Sequence, residues 1–110
     1  MEELEKNLSG IWYLATSEDG QPHVRPFDKV AVLDGRVYAG TAKNKKVFAQ
    51  ILANPKVEVF VLTDFGPYRF MAEAFIEDNA RTAEDAFLKM GKMFDPENSA
   101  AIRFENIQKY

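Results

Sequence analysis

The segment Gly40-Thr41-Ala42-Lys43-Asn44-Lys45-Lys46 joins two kinds of structure and so restricts the chain to folds that mix them. On its N-terminal side, Asp34-Gly35 stands between two apolar runs, a strong signal for a two-residue hairpin turn, and Arg36 to Ala39 reads as the returning strand. On its C-terminal side, Val47, Phe48, Ile51 and Leu52 recur at helical spacing, the apolar face of a short helix running from Lys45 to about Ala53. Asn54-Pro55 ends that helix, because the residue before a proline avoids helical angles. Thr41 or Asn44 offers the N-cap. The N–H groups of a helix's first turn point outward and carry partial positive charge. Lys45 and Lys46 in that turn oppose the dipole, so helix stability does not account for them, whereas a bound anion such as a phosphate does. A solvated lysine run is the other reading of the same residues.

Around this joint the chain alternates short strands and helices. Glu2 to Leu8 reads as a helix with Leu4 and Leu8 on one face, ended by Gly10. Ile11 to Thr16 is rich in strand formers and apolar on both faces, which predicts a central strand. Ser17 to Gln21 is a turn. His23 to Leu33 follows as one long or bent strand, with Pro26 marking an edge, a bulge or a break. Val57 to Leu62 and Tyr68 to Ile76 are further strands, separated by a loop from Thr63 to Pro67. Thr82-Ala83-Glu84-Asp85 opens a second helix whose apolar stripe is Ala86, Phe87, Met90, Met93 and Phe94, a core or subunit contact, and Asp95-Pro96 stops it. Ile102 to Tyr110 begins a last strand. Hairpins interspersed with helices give an α+β pattern, with strands enough to curl into a small antiparallel barrel.

The 110 residues fit a single domain, 1–110, with a modest core, and 46% hydrophobic against 28% charged residues is an ordinary globular balance. The absence of cysteine excludes a thiol nucleophile, a disulfide framework and any thiolate-held metal, and fits a reducing compartment. A net charge of -3 argues against a nucleic-acid partner, which wants a basic face. No apolar run reaches membrane-spanning length, and the acidic start Met1-Glu2-Glu3-Leu4-Glu5 is unlike a signal peptide, so no membrane role and a cytoplasmic location are expected. The aromatic content, nine Phe, four Tyr and one Trp, fills a small barrel or lines a flat ligand.

Few residues carry recognisable chemistry. His23, the single histidine, cannot build a metal site alone and reads as a strand residue near the mouth of a cleft. Ser9, Ser17 and Ser99 lack a nucleophile elbow, and Glu18 and Asp19 sit on a polar turn. No catalytic residue stands out, and neither a dinucleotide fingerprint nor a P-loop is present. The more specific set is Arg25 with Lys45 and Lys46. Arg25 precedes the Asp34-Gly35 hairpin and the lysines follow it, so the two arms are expected to bring them onto one anion, with Arg25 offering a planar fork. A surface ion pair for Arg25 is the alternative.

Trp12-Tyr13-Leu14-Ala15-Thr16 followed by Gly20-Gln21-Pro22-His23-Val24-Arg25-Pro26 resembles the opening strands of the pyridoxamine 5'-phosphate oxidase-like, FMN-binding split-barrel family. Thr41 to Val47, Gln50, and Ala53-Asn54-Pro55-Lys56-Val57-Glu58 resemble that family's phosphate-binding turn, helix and following strand. The resemblance runs in consistent order from about Ile11 to Ile76 and is nearest to the small, nitroimidazole-resistance-like members. It implies a small antiparallel split β-barrel with flanking helices, a homodimer with cofactor sites at the interface, and FMN as cofactor. By motif position, Arg25, Lys45 and Lys46 would hold the FMN phosphate, with Asn44 and Thr41 as hydrogen-bonding helpers. Pro26, Phe27 and Asp28 would run beside the isoalloxazine, and Ala39 and Gly40 would give a close backbone approach. The family's final strand and tail look shortened, with no counterpart for the tail residues of the vitamin B6 oxidase, and Ala72 stands where many relatives have glycine. Asp28 would place an acid close to where the flavin would lie.

Three functions follow as expectations. The first is an FMN-dependent oxidoreductase acting on a small molecule. The second is a non-enzymatic module binding another flavin, a deazaflavin or haem. The third is an interaction domain whose barrel carries no ligand.

Overall fold

The computed structural model describes residues 10–27, 30–63 and 66–109. The expected helix at Glu2 to Leu8 and the expected site residue Asp28 lie outside the described residues. Seven strands and two helices follow in the order β1 (Trp12–Glu18), β2 (Gln21–Phe27), β3 (Val30–Leu33), β4 (Arg36–Ala42), α1 (Lys46–Ala53), β5 (Lys56–Thr63), β6 (Gly66–Ile76), α2 (Ala80–Lys89) and β7 (Ser99–Lys109). The strands form one sheet in the order β2-β1-β5-β6-β7-β4-β3, every neighbouring pair antiparallel.

That order forces the sheet to curl. Laid flat, six strand spacings would separate β2 from β3 by about 29 Å. Yet Phe27 ends β2 and Val30 begins β3, and three peptide steps reach about 11 Å at most. The edge strands must therefore approach one another, and the sheet closes into the half-barrel expected of an α+β split barrel. A bulge between Met71 and Glu73, where β6 meets β7, adds local bend.

Inside the curl sit Trp12, Leu14, Val37, Val59, Val61, Phe70, Ala74 and Ile102, closed by Val47 and Ile51 of α1. Trp12 and Tyr68 each meet Phe70 edge-on, at 6.0 Å between centroids. Helix α2 covers the other face of β3, β4 and β7, where Ala83, Ala86, Phe87 and Met90 pack on Ala31, Tyr38 and Ala101. Tyr38 donates its hydroxyl to Glu77, which also receives Arg103 at 3.0 Å. Asn79 caps α2 by accepting from the Thr82 N–H.

Several elements differ from the sequence reading. The long strand at His23 to Leu33 is two strands at opposite ends of the sheet order. Pro26 lies in β2, an edge strand, where its missing donor is tolerated. Strand β1 is central, but only one of its faces is buried: Trp12 and Leu14 point inward while Tyr13 stays 39% exposed. Both tight turns place Asp and then Gly at positive φ, Asp19-Gly20 and Asp34-Gly35, the geometry that suits a two-residue hairpin. Helix α2 starts at Ala80, earlier than Thr82, and ends before Gly91 at φ 74, not at Asp95-Pro96. Met93 is consequently off the helix and 94% exposed. Strand β7 begins at Ser99, because pairing with β4 and β6 extends it beyond its apolar segment.

Candidate functional site

The seam of the half-barrel holds a cavity of about 670 Å³, within the range of small-molecule sites. Strand β2 supplies His23, Val24, Arg25, Pro26 and Phe27; β4 supplies Gly40, Thr41 and Ala42. Lys45, Lys46, Val47 and Gln50 come from the start of α1, and Phe87 and Lys92 from α2 and the turn after it.

The convergence of Arg25 with the two lysines is therefore real, but its cause is not the one the hairpin suggested. The Asp34-Gly35 turn joins β3 to β4, and β2 pairs only with β1 among the described strands. Closure of the sheet, not hairpin pairing, carries Arg25 across to α1. The expected cap is also absent: Lys45 occupies the N-cap position of α1 with no side-chain hydrogen bond. Thr41 lies too early, still in β4, and the turn is instead held by backbone bonds from Lys43 N–H to Asn98 O at 2.7 Å and Lys45 N–H to Ala42 O at 3.0 Å. With no acidic residue in its first turn, α1 turns an uncompensated positive end and two lysines toward the cavity.

Of the other residues expected at the site, Pro26, Phe27, Gly40 and Thr41 line the cavity. Ala39 is 1% exposed and packs in the core, and Asn44 points to solvent outside the lining. Gly40 has a packing reason for lacking a side chain. A Cβ there would lie 3.2 Å from the Phe87 Cζ, so the ring takes the space.

Among the described residues Arg25 pairs with no carboxylate. Its Nη1 donates to Leu14 O at 3.2 Å and to Thr16 Oγ1 at 2.9 Å, and its Nη2 donates to Gln50 Oε1 at 2.6 Å. Burial lowers its pKa from the ordinary value, which leaves an arginine charged at any physiological pH. Gln50 Nε2 donates onward to Glu18 Oε1 at 3.1 Å, and His23 Nε2 lies 3.8 Å from that same oxygen. Among the described residues no group of three or more His, Cys, Asp or Glu could hold a metal ion, and no helix is long and apolar enough to cross a membrane.

Thr16, Gln50, Phe87 and Lys92 were not among the expected site residues, although Thr16 and Gln50 stand in the segments that carry the family resemblance. Gln50 left a signal, since it interrupts the apolar face of α1 between Val47 and Ile51. Thr16 left a weaker one, a hydroxyl in the inward series Trp12, Leu14, Thr16. Phe87 read as core, which it also is.

A crystal structure of a NimC/NimA family protein from Clostridium acetobutylicum is 32% identical, with a TM-score of 0.79, covering 94% of this chain and 79% of that one. HupZ of Group A Streptococcus (22% identity, TM-score 0.74, 99% of this chain and 92% of that) and General Stress Protein 26 of Bacillus anthracis (16%, 0.70, 99% and 97%) share the fold. The chain has no match among curated proteins. The family model described as pyridoxamine 5'-phosphate oxidase matches residues 2–108. With that match over nearly its whole length, the chain belongs to the pyridoxamine 5'-phosphate oxidase family.

Proposed function

We propose that the seam cavity binds FMN and that the protein is a flavin-dependent oxidoreductase acting on a small molecule. The observation that carries this reading is the arrival of Arg25, Lys45, Lys46 and the N-terminus of α1 on one cavity. A planar guanidinium, two ammonium groups and outward N–H groups are the donor set a phosphate monoester wants. The rest of the lining suits a planar ring. Pro26 and Phe27 form one rim, Val47 and Phe87 add apolar surface, and Thr41 offers a hydroxyl.

The flavin supplies the electron transfer when bound. The chain's own part is to hold the phosphate with Arg25, Lys45 and Lys46, and to lay the ring against the β2 rim. The outward face of β2, β1, β5 and β6 carries Val24, Tyr13, Leu62 and Met71, all exposed, and the Tyr13 and Phe60 rings meet there at 6.2 Å. A second copy of the chain covering this face would form the homodimer, and Val24, shared by the face and the cavity lining, supports a site at the border of that contact.

The test is an absorbance spectrum of purified protein before and after FMN addition and dialysis, with a melting curve for each sample. Retained flavin bands and a raised Tm are the expected result. Colourless protein with an unmoved Tm overturns the reading.

A further inference from the structure

Gln50 is an expensive residue where it stands. It occupies the buried face of α1 between Val47 and Ile51, 3% exposed. An amide in such a place destabilises the fold unless its hydrogen bonds are met, and leucine or methionine would serve the core better. Both of its polar atoms have partners, and the bonds close on Arg25. Gln50 Oε1 accepts from Arg25 Nη2 at 2.6 Å and from the Thr16 hydroxyl at 2.7 Å. Thr16, also 3% exposed, in turn accepts from Arg25 Nη1 at 2.9 Å. The Gln50 amide donates to Glu18 at 3.1 Å. The polarity fixes the amide, since a flipped Gln50 would press its NH₂ against the guanidinium.

The network leaves Arg25 with its Nε–H and one Nη2–H free of protein acceptors among the described residues, while the side chain lines the cavity. An arginine loses much rotamer freedom when it is fixed, and a binding site that fixes it during folding avoids that cost when the ligand arrives.

We infer that Gln50 and Thr16 are positioning residues that hold the Arg25 fork ready for a phosphate, and that they set the preference of this site for phosphorylated over unphosphorylated flavin. The inference rests on the FMN reading above. Neither residue needs to touch the ligand.

FMN and riboflavin share a ring and differ in the phosphate, so affinity for each, measured by flavin fluorescence, separates positioning from general damage. Gln50→Met and Thr16→Val, both close in shape to the residues replaced, are each expected to weaken FMN by roughly three- to tenfold and leave riboflavin unchanged. In an Arg25→Ala background the Gln50→Met loss should vanish, because its route is gone. Equal losses for both ligands, no loss in any variant, or a Gln50→Met loss that persists without Arg25 overturns the positioning role alone. Wild-type protein that fails to prefer FMN over riboflavin overturns the phosphate reading, and this inference with it. Thr16→Val, the milder change, decides the matter if Gln50→Met does not fold.

Discussion

Gly40 lies directly under the ring of Phe87: a Cβ built on the glycine would meet the Phe87 Cζ at 3.2 Å and both Cε atoms within 3.6 Å. This contact links β4 to α2 and sets one wall of the seam cavity, since both residues line it. Gly40 has no positive φ, so its requirement is space and not backbone freedom. Phe87 in turn is 4% exposed and meets Phe94 edge-on at 5.3 Å, so it has little room to retreat.

A larger residue at position 40 should therefore strain the α2 contact. Gly40→Val is expected to lower stability by about 1–3 kcal/mol, the usual range for overpacking. Phe87→Leu alone also destabilises, by leaving a gap. The two losses should be less than additive when combined, because the smaller side chain gives back the space the valine needs. Thermal melts of the four proteins in the cycle measure the coupling; strict additivity would mean that the ring does not oppose the new side chain.

Lys45 and Lys46 stand where the helix itself would favour an acid. Replacing Lys46 by Glu should raise the Tm of the ligand-free protein by about 2–5 °C. The same change should abolish measurable FMN binding. Lys45→Ala is milder: roughly tenfold weaker FMN binding, with the deficit shrinking as salt screens the wild-type attraction. Melting curves and flavin titrations at two salt concentrations check both. If Lys46→Glu destabilised the free protein, the opposing-dipole account of this turn would fail.

The same residues show how far the sequence could be read. Strands, turns and α1 follow from local signals: Asp-Gly at both hairpins, proline after α1, and alternation along Phe70, Ala72 and Ala74. The candidate anion site drew notice in the sequence because lysines at a helix start contradict the dipole, and the same lysines line the seam cavity. What was not legible is long-range. Nothing in His23 to Leu33 says that its two halves lie at opposite ends of a seven-stranded order. That follows only once the sheet closes, and closure depends on pairings such as Trp12 with Val61 and Ile102 with Ala39. The Arg25 network escaped for the same reason, since Thr16 and Gln50 are 34 positions apart. The helix cap failed because β4 continued three residues past Ala39, to Ala42, and consumed Thr41.

Glu77 gives the protein an acid limit. Burial works to raise its carboxyl pKa, but the Asn79 N–H, the Arg103 guanidinium and the Tyr38 hydroxyl outweigh that and hold it below the ordinary value. A carboxylate whose folded pKa is depressed stabilises the fold above its unfolded pKa, and that stability drains away as pH falls through the folded value. Stability should thus fall below about pH 4.5. Tyr38 works at the other end: burial first, and then Glu77, raise its pKa, so its contribution holds below about pH 10 and is lost as pH rises beyond that. Glu77→Gln should cost about 1–3 kcal/mol at neutral pH and flatten the acid limb. Denaturant melts from pH 3 to 7 on both proteins provide the check, and an unchanged acid limb in the variant would assign it to other carboxylates.

The outward face of the sheet tests the proposed dimer. Leu62 is 67% exposed and Val24 69%, on neighbouring parts of a surface that also holds Tyr13 and Met71. Register places them together: Tyr13 is paired with Pro26 and with Phe60, Ala15 with Val24, and Glu58 with Met71. An exposed apolar face of this kind marks an interaction surface. Leu62→Lys leaves the core untouched, because its neighbour Val61 and not Leu62 points inward, so the monomer fold should survive with native circular dichroism. In a dimer the same lysine would be buried against apolar surface at a cost of several kcal/mol per interface. Sedimentation equilibrium should then show wild-type dimer and variant monomer. FMN binding should weaken in the variant, because Val24 and Pro26 carry the cavity rim onto this face. A variant that stays dimeric would move the interface elsewhere on the molecule, and a monomeric variant with full FMN affinity would show that one chain completes the site by itself.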